Sequence, residues 1–241
     1  MWIRPAGEAR CLSRDRQATP GTEPVTESVT GQHAQPSPFL VLFVCTGNIC
    51  RSPVGEQLCR ARADEVARDR FGLTDASAML QVESAGVYAR DGDRMTGQAA
   101  DLSLRFGADP ARHASKRLTE RHLEDAGLVL GATRDHRREI VSMFPRVSRM
   151  AFTITEFARL FENLVSDAAA VDAVRAQLGA DFGPAVVAAV SARRGLVRPD
   201  RASDDDVVDP YRRSQKTYDA VGMVLDDALS SIKRGFEALL P

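Results

Sequence analysis

The sequence feature that most constrains the fold is an unbroken apolar run that leads through a short polar loop into a helix-forming stretch. Residues 39–44 read FLVLFV, residues 45–50 read CTGNIC, and the next residues are Arg51, Ser52 and Pro53. An apolar run without polar alternation predicts a strand buried on both faces, as in a parallel sheet. Proline suits the first turn of a helix, so the chain opens as strand, loop and helix.

The same alternation continues along the chain. Apolar runs at residues 79–86, 128–133 and 147–152 predict three further strands. The stretches between and after them predict helices, which cover residues 94–106, 118–126, 134–144, 154–164 and 214–240. Strands that alternate with helices favour an α/β fold, in which a parallel sheet of about four strands carries helices on both faces.

Composition predicts how the chain is divided. Residues 1–38 are rich in Pro, Gly, Ser, Thr and charged residues, with scarcely an apolar run. Such a segment cannot offset its ordering entropy, so we expect a disordered N-terminal tail. Residues 39–241 are expected to form a single domain. Within it, an Ala-rich and then acidic stretch at about 164–206 interrupts the alternation and is predicted to be a helical insertion.

Charge and cysteine content exclude several classes of protein. The formal net charge is −1, with 32 Lys plus Arg against 33 Asp plus Glu, so no global field attracts nucleic acid or an anionic membrane. No stretch approaches the roughly 18 apolar residues of a membrane helix, and residues 1–38 lack the apolar core of a signal peptide. All 4 cysteines lie in the first quarter of the chain, too clustered for a secreted disulfide framework. We therefore expect a cytoplasmic protein.

The loop at residues 45–50 has the chemistry of an anion site. A loop from a buried strand into a helix turns backbone N–H groups inward, and Gly47 and Asn48 tolerate the φ/ψ angles that such a curl needs. Cys45 supplies a nucleophile at its base, and Arg51 supplies a bidentate, permanently charged fork at its exit. These surroundings favour the thiolate, which is the attacking form. Ser52 can donate a hydrogen bond to the sulfur when it leaves in a second step.

Residues 41–56 closely resemble the active-site loop of the low molecular weight protein tyrosine phosphatases. Other phosphatases with the C-x5-R spacing usually have His before the cysteine, whereas this chain has Val44. The resemblance implies a Rossmann-like phosphotyrosine phosphatase I fold and hydrolysis of phosphotyrosine through a phosphocysteine on Cys45, with no metal ion or other cofactor. It also implies that the loop binds the phosphate through Arg51 and through Thr46, Gly47, Asn48, Ile49, Cys50 and Ser52.

The resemblance extends to residues far from the loop. The general acid of the family lies in an Asp-Pro-Tyr triplet, which here begins at Asp209. The residue before a proline favours extended geometry, so we expect Asp209 in a second loop that projects its carboxyl over the anion-binding loop at residues 45–50, which we call the cradle. In the family, a serine at a strand end and a histidine on a short segment hold the loop in shape. Ser84 and His113 are their counterparts here.

Several residues bear on the substrate. Relatives that act on phosphoarginine carry Thr where this chain has Ile49, which favours phosphotyrosine. Tyr211 and Tyr88 are expected to line the substrate cleft. The stretch DPYRRS resembles bacterial members that act on tyrosine kinases of exopolysaccharide synthesis, and it implies such a kinase as the phosphotyrosine partner. Arg212 and Arg213 would then bind acidic or phosphorylated residues near the target tyrosine, or would be solvated.

Cys50 lies within the loop, and the resemblance implies a reversible disulfide with Cys45 that shields the thiolate from irreversible oxidation. The alternative is that Cys50 is a small packing residue. The chain also departs from the family pattern. The family's Met-Asp after the third strand is missing from residues 128–138, which read LVLGATRDHRR. This departure leaves the walls of the pocket undefined.

Two other functions are compatible with parts of this pattern. A thioredoxin-coupled arsenate reductase uses the same fold and loop but needs two further cysteines downstream, and no cysteine follows Cys59. A non-catalytic phosphopeptide-binding module would keep the cradle. The presence of Cys45, Arg51 and Asp209 together favours an enzyme over such a module.

Overall fold

The computed structural model describes residues 38–177, 179 and 182–240. The tail predicted at residues 1–38 lies, except for Pro38, outside the described residues. Within the described ranges, four strands form one parallel sheet. In chain order they are β1 (Phe39–Cys45), β2 (Leu80–Gly86), β3 (Leu128–Gly131) and β4 (Ala151–Thr153).

Helices cover both faces of the sheet. The α-helices are α1 (Arg51–Phe71), α2 (Gly97–Arg105), α3 (Glu120–Asp125), α4 (Arg134–Met143), α5 (Ile154–Val165), α6 (Ala168–Arg175), α7 (Phe182–Ala192) and α8 (Gln215–Leu239). Two 3₁₀ helices lie at Pro145–Arg149 and Ala202–Asp205. Across the described ranges, none of these helices has an apolar stretch that could span a bilayer.

Side-chain caps explain where three of these helices begin. The helices α2, α4 and α5 each follow a threonine whose hydroxyl accepts a backbone N–H of the first turn, namely Thr96, Thr133 and Thr153. Such a cap satisfies one of the N–H groups that a helix start leaves without an internal partner. The helix α1 ends at Gly72, whose φ of 64° is the left-handed conformation that glycine adopts at little cost.

The strand order β2-β1-β3-β4 puts β1 at the centre of the sheet. Cys45 pairs with Gly86 at the end of β2, and Val44 pairs with Gly131 at the end of β3. Because the strands are parallel, the loops that follow β1, β2 and β3 leave from the same edge. Ligands of open parallel sheets bind at such an edge.

The apolar run of β1 is divided between the two faces of the sheet. Val41 and Phe43 pack in a core with α1, α5 and α8. Leu42 and Val44 pack in a second core with α3 and α4. Burial on both faces accounts for the absence of polar alternation in this strand. The predicted fold class, a parallel sheet of four strands with helices on both faces, is confirmed.

The fourth strand is shorter than predicted and begins later. The prediction covered residues 147–152, but only Ala151–Thr153 pair with β3. Pro145 starts a 3₁₀ helix instead, and Met150 N–H closes its last turn on the carbonyl of Val147 at 2.9 Å. Val147 is buried by this turn, so its apolar character did not indicate a strand.

Residues 164–206, predicted to be a helical insertion, contain α6, α7 and the second 3₁₀ helix. Val171, Val174 and Val190 are buried in the same core as α5 and α8. Arg159 on α5 pairs with Asp205 at 2.8 Å and ties the end of this segment to the core. The division of the chain into tail, domain and insertion stays a prediction.

Candidate active site

Cys45 ends β1 and lies beneath the loop at residues 46–50. The residue is only 2% exposed. The backbone N–H of Asn48 points at its Sγ at 3.3 Å, and the Ser52 hydroxyl lies 3.0 Å from the same atom. The helix α1 begins at Arg51, so the sulfur lies close to the positive end of a helix dipole. Hydrogen-bond donors of this kind are the partners of a nucleophilic thiolate.

Asn48 ties the loop together from its centre. The residue is fully buried, and its φ of 54° lies in the left-handed region that asparagine tolerates better than most residues. Its side-chain NH₂ donates to Ser52 Oγ at 2.9 Å and to Ser84 Oγ at 2.8 Å. Its Oδ1 accepts the backbone N–H of Lys116 at 2.8 Å. These bonds use both amide hydrogens and the amide oxygen, so they fix the shape of the loop.

The two predicted supporting residues reach Asn48 from neighbouring elements. Ser84 on β2 donates its own hydroxyl hydrogen to Glu56 Oε2 at 2.6 Å, which leaves its oxygen to accept from Asn48. His113 Nε2 lies 2.7 Å from the Asn48 carbonyl oxygen, and because a carbonyl only accepts, Nε2 carries the hydrogen. Burial lowers the pKa of His113 below its usual value. The structure brings these residues together with Ser52, and their supporting role stays a prediction.

Arg51 lies between the loop and the segment that carries the predicted acid. Only 4% of the residue is exposed. Its Nη1 donates to the Val207 carbonyl at 3.1 Å, and its Nη2 donates to Thr46 Oγ1 at 3.3 Å. The same Nη2 pairs with Asp209 Oδ2 at 3.1 Å. The guanidinium therefore joins the loop after β1 to a segment more than 150 residues further along the chain.

The segment that carries the predicted acid is anchored just before Asp209. Val207 N–H donates to the Ala132 carbonyl at 2.8 Å, directly after β3. Arg134, the first residue of α4, pairs with Asp206 at 2.7 Å. The side chain of Asp209 itself is 54% exposed. Its backbone is therefore held while its carboxyl stays open to solvent beside Arg51.

The predicted cleft residues lie beside the loop. Tyr88 is 66% exposed, and its backbone N–H donates to the Thr46 carbonyl at 2.9 Å. Tyr211 is 46% exposed and lies two residues after Asp209. The Arg212 guanidinium carbon lies 5.1 Å from the centre of the Tyr211 ring, within the range of a cation–π contact. Ile49 is partly buried against the core. These residues thus belong to segments that contact the loop or Arg51, and their place in a substrate cleft stays a prediction.

Cys50 faces the core side of the loop. Its Sγ lies 3.4 Å from Thr96 Oγ1 and 3.6 Å from the Tyr218 hydroxyl. Burial raises the pKa of the Cys50 thiol, and burial also raises the pKa of Tyr218 to about 12. The three cysteines in the described residues are free thiols, namely Cys45, Cys50 and Cys59. The expected disulfide partner therefore carries its proton at neutral pH.

Sequence reasoning missed four residues that contact the loop or its supports: Glu56, Thr96, His136 and Tyr218. His136 Nε2 lies 2.9 Å from Thr46 Oγ1. A signal for it was available, because polar residues after β3 reach the same edge of the sheet as the loop after β1. The contacts of Thr96 and Tyr218 with Cys50 join elements far apart in the chain, and no local pattern indicates them.

The arrangement combines the groups that a displacement at phosphorus requires. The Cys45 sulfur, the N–H of Asn48 that points at it, the Arg51 guanidinium and the Asp209 carboxyl group lie at one edge of the sheet, and together they could act as nucleophile, anion donors and acid. In the part of the chain that the structure describes, no three His, Cys, Asp or Glu side chains are grouped to hold a metal ion.

Comparison with known proteins identifies the class. A sequence model of the low molecular weight phosphotyrosine protein phosphatases matches residues 40–172. The match covers the loop, the sheet and α1 to α5. The chain belongs to this family, and it is a phosphatase. The predicted resemblance is confirmed.

The similar proteins include both an arginine phosphatase and tyrosine phosphatases. A protein-arginine-phosphatase of Bacillus subtilis is 38% identical over 117 residues, which are 48% of this chain and 71% of the relative. A probable low molecular weight protein-tyrosine-phosphatase, EpsP of Ralstonia nicotianae, is 29% identical over 201 residues, which are 83% of this chain and 93% of the relative. The solved structure of the low molecular weight protein tyrosine phosphatase from T. tengcongensis is 27% identical, with a TM-score of 0.55, over 80% of this chain and 97% of that one.

Proposed function

We propose that this protein hydrolyses phosphotyrosine in proteins through a phosphocysteine formed on Cys45. The observation that carries the proposal is the meeting of three groups. Cys45 Sγ accepts an N–H of its own loop, and the same loop leads into Arg51, whose Nη2 lies 3.1 Å from Asp209. A binding module would have no use for a nucleophile and a carboxyl group beside its anion site.

In the first proposed step, the Cys45 thiolate attacks phosphorus in line with the leaving tyrosine oxygen. The S–P bond forms as the P–O bond to tyrosine breaks, and Asp209 gives its proton to the leaving oxygen. The loop N–H groups and Arg51 stabilise the three equatorial oxygens. Charge on the phosphoryl group is thus met by the protein's own donors, without a metal ion.

In the second proposed step, water attacks phosphorus and the S–P bond breaks. Asp209, now a carboxylate, takes a proton from the water, which is the reversal that a two-step displacement imposes. The sulfur leaves as a thiolate, and the Ser52 hydroxyl at 3.0 Å can donate to it. Inorganic phosphate and the starting enzyme result.

The choice of tyrosine rests on the entrance to the cradle. A phenyl ring is stabilised by apolar and aromatic walls, which Ile49, Tyr88 and Tyr211 would supply in the proposed cleft. A second candidate is phosphoarginine, because a protein-arginine-phosphatase of Bacillus subtilis is 38% identical to this chain. The substituent of phosphoarginine is a polar guanidinium, which prefers a hydrogen-bonding residue to the side chain of Ile49.

We further propose a cytoplasmic tyrosine kinase of exopolysaccharide synthesis as the substrate protein. Support comes from the stretch DPYRRS and from the similarity to EpsP over 201 residues. Arg212 and Arg213 are exposed beside the cleft and would contact acidic or phosphorylated residues near the target tyrosine. The cytoplasm keeps thiols reduced, as a Cys45 nucleophile needs.

The test is steady-state hydrolysis of one peptide sequence that carries phosphotyrosine, phosphoarginine or phosphoserine, with a chelator and a thiol reductant present. We expect turnover of the phosphotyrosine peptide, none in the Cys45→Ser variant, and a shift toward phosphoarginine in Ile49→Thr. A preference of the unaltered protein for phosphoarginine would contradict the tyrosine proposal. Phosphate binding without turnover of any peptide would identify a binding module.

A further inference from the structure

His136 is a buried imidazole that the proposed steps do not use. The residue is 6% exposed and lies in the first turn of α4. Its Nδ1 lies 2.7 Å from the hydroxyl of Thr133, the cap of that helix. Its Nε2 lies 2.9 Å from Thr46 Oγ1 in the phosphate loop. The Nδ1 contact completes a helix cap, but the Nε2 contact joins a different part of the molecule.

The Thr46 hydroxyl leads from His136 to the arginine. Arg51 Nη2 donates to Thr46 Oγ1 at 3.3 Å, and a guanidinium can only donate, so this oxygen accepts. One hydroxyl therefore bonds the imidazole on one side and the guanidinium on the other. Without the imidazole, the longer bond from Arg51 would be the one hydrogen bond among the described residues that holds the Thr46 hydroxyl, and the side chain of this exposed residue could turn to other rotamers.

The imidazole is a neutral hydrogen-bonding group in this place. Burial, and then the positive charge of Arg51, lower the pKa of His136 to about 4, while Asp209, Asp135 and Asp206 oppose this in part. A neutral imidazole has one N–H and one acceptor nitrogen, and each threonine hydroxyl can match either. Both tautomers therefore keep both contacts, and the ring adds no second positive charge beside the anion site.

Arg51 has a second anchor on its other terminal nitrogen. Nη1 donates to the Val207 carbonyl at 3.1 Å. A planar group that is held at both terminal nitrogens cannot rotate about its axis without breaking a bond. We infer that His136 is a positioning residue that fixes the Thr46 hydroxyl and, through it, the plane in which Arg51 meets the phosphoryl oxygens. The inference rests on the proposed function.

The chain contains a matched control for this residue. His122 is placed on α3 as His136 is on α4, three residues after a capping threonine. Its Nδ1 lies 2.9 Å from Thr119 Oγ1. Within the described residues, no hydrogen bond joins His122 to the phosphate loop. A variant of His122 therefore measures what a capping histidine alone is worth.

Two conservative substitutions separate the two contacts of His136. The amide of asparagine lies at the same number of bonds from Cβ as Nδ1, so His136→Asn can keep the contact with Thr133 and loses that with Thr46. The amide of glutamine lies at the same number of bonds as Nε2, so His136→Gln can keep the contact with Thr46 instead. His122→Asn is the control at the cap of α3. Thr46→Val removes the hydroxyl and keeps the shape of the side chain.

The experiment measures kcat, KM, the dissociation constant of inorganic phosphate and the thermal midpoint for each variant. We expect His136→Asn to lower kcat/KM and phosphate affinity by about tenfold, the size of one lost hydrogen bond to a phosphate-binding group. His136→Gln is expected to retain most of the kcat/KM and of the phosphate affinity of the unaltered protein. Thr46→Val should match His136→Asn, and the double variant should lose no more than either, because the two act in one chain.

Two results would overturn the inference. One is a His136→Asn protein with kcat/KM and phosphate affinity within about twofold of the unaltered protein. The other is a loss of kcat/KM that is the same in His136→Gln as in His136→Asn and that parallels a lowered thermal midpoint, which is the result expected if His136 only caps α4. The dissociation constant of phosphate tests the inference independently of the proposed function. If the unaltered protein binds phosphate but hydrolyses no peptide, the proposed function fails, whereas unchanged phosphate affinity in His136→Asn defeats the inference alone.

Discussion

The end of β2 fixes the position of the phosphate loop, and Gly86→Ala tests this directly. A Cβ at Gly86 would lie 2.6 Å from the Thr46 carbonyl oxygen, 2.8 Å from the Asn48 nitrogen and 2.9 Å from the Ala89 Cβ. Two of these atoms belong to the loop backbone that surrounds Cys45. Ordinary contacts need about 3.5 Å, so the loop or the strand must move by about 0.5–1 Å.

The strand is held more firmly than the loop entrance. Gly86 pairs with Cys45 across the sheet, its N–H donates to the Lys116 carbonyl at 2.9 Å, and its carbonyl accepts Leu118 N–H at 2.8 Å. The loop backbone should therefore give way. A displacement of about 1 Å at reacting groups costs on the order of 100-fold in rate. We expect kcat/KM to fall by about 30- to 100-fold and the free energy of unfolding to fall by about 1–3 kcal/mol.

The assay compares turnover per folded molecule, phosphate affinity and urea unfolding in Gly86→Ala and in a control. Gly127→Ala is a suitable control, because its new methyl group would press on the Phe39 ring at the opposite edge of the sheet. It is expected to lower stability while turnover per folded molecule stays near that of the unaltered protein. Turnover of Gly86→Ala within about threefold of the unaltered protein would refute the reasoning, because the loop would then not depend on the end of β2.

Three further predictions address the acid, the second cysteine and a buried histidine. Asp209→Asn should lower kcat/KM for phenyl phosphate by about 100-fold or more but kcat/KM for p-nitrophenyl phosphate much less, because only the poorer leaving group needs the proton in the first step; equal losses in the two kcat/KM values would argue against an acid role. Inactivation by peroxide should be reversed by added thiol in the unaltered protein but should be permanent in Cys50→Ser, and the measurement is the activity recovered after reduction. Equal recovery of activity in the two proteins would exclude Cys50 as the resolving thiol. The lowered pKa of His136 means that the unfolded chain binds a proton near pH 6.5 and the folded chain only near about 4, so stability should fall as the pH drops between them. The expected loss in the free energy of unfolding, measured with urea, is on the order of 3 kcal/mol. The same pH dependence of this free energy in His136→Asn would contradict the prediction.

The parts of the fold that follow from local patterns could be predicted from the sequence. The unbroken apolar run of β1 indicated burial on both faces, and Leu42 and Phe43 do pack in opposite cores. The loop was predictable because glycine, asparagine, cysteine and arginine stand close together in the chain. The fourth strand was placed too early, because burial of Val147 in a 3₁₀ turn and burial in a strand leave the same apolar signal.

The long-range contacts of the site could not be predicted from local pattern. Asp209 was predicted only from the resemblance, because an Asp-Pro pair is usually a turn signal. The contact of His136 with Thr46 depends on the adjacency of β1 and β3, which the sequence does not state. Thr96 and Tyr218 reach Cys50 through the packing of α2 and α8 near the loop. Such contacts are set by tertiary structure: the position of His136 after β3 indicated the right edge of the sheet, but residue type alone did not identify the partner of any of these side chains.

The measurement that tests the phosphocysteine proposal most directly is mass spectrometry of the rapidly denatured enzyme after a brief reaction with p-nitrophenyl phosphate. Asp209→Asn is the form to use, because p-nitrophenolate leaves without a proton in the first step, whereas the second step is slow without the base, so the intermediate accumulates. We predict phosphate on Cys45, in amounts that approach one per active site. Release of p-nitrophenol and phosphate with no phosphate on Cys45 at any time would contradict a covalent mechanism.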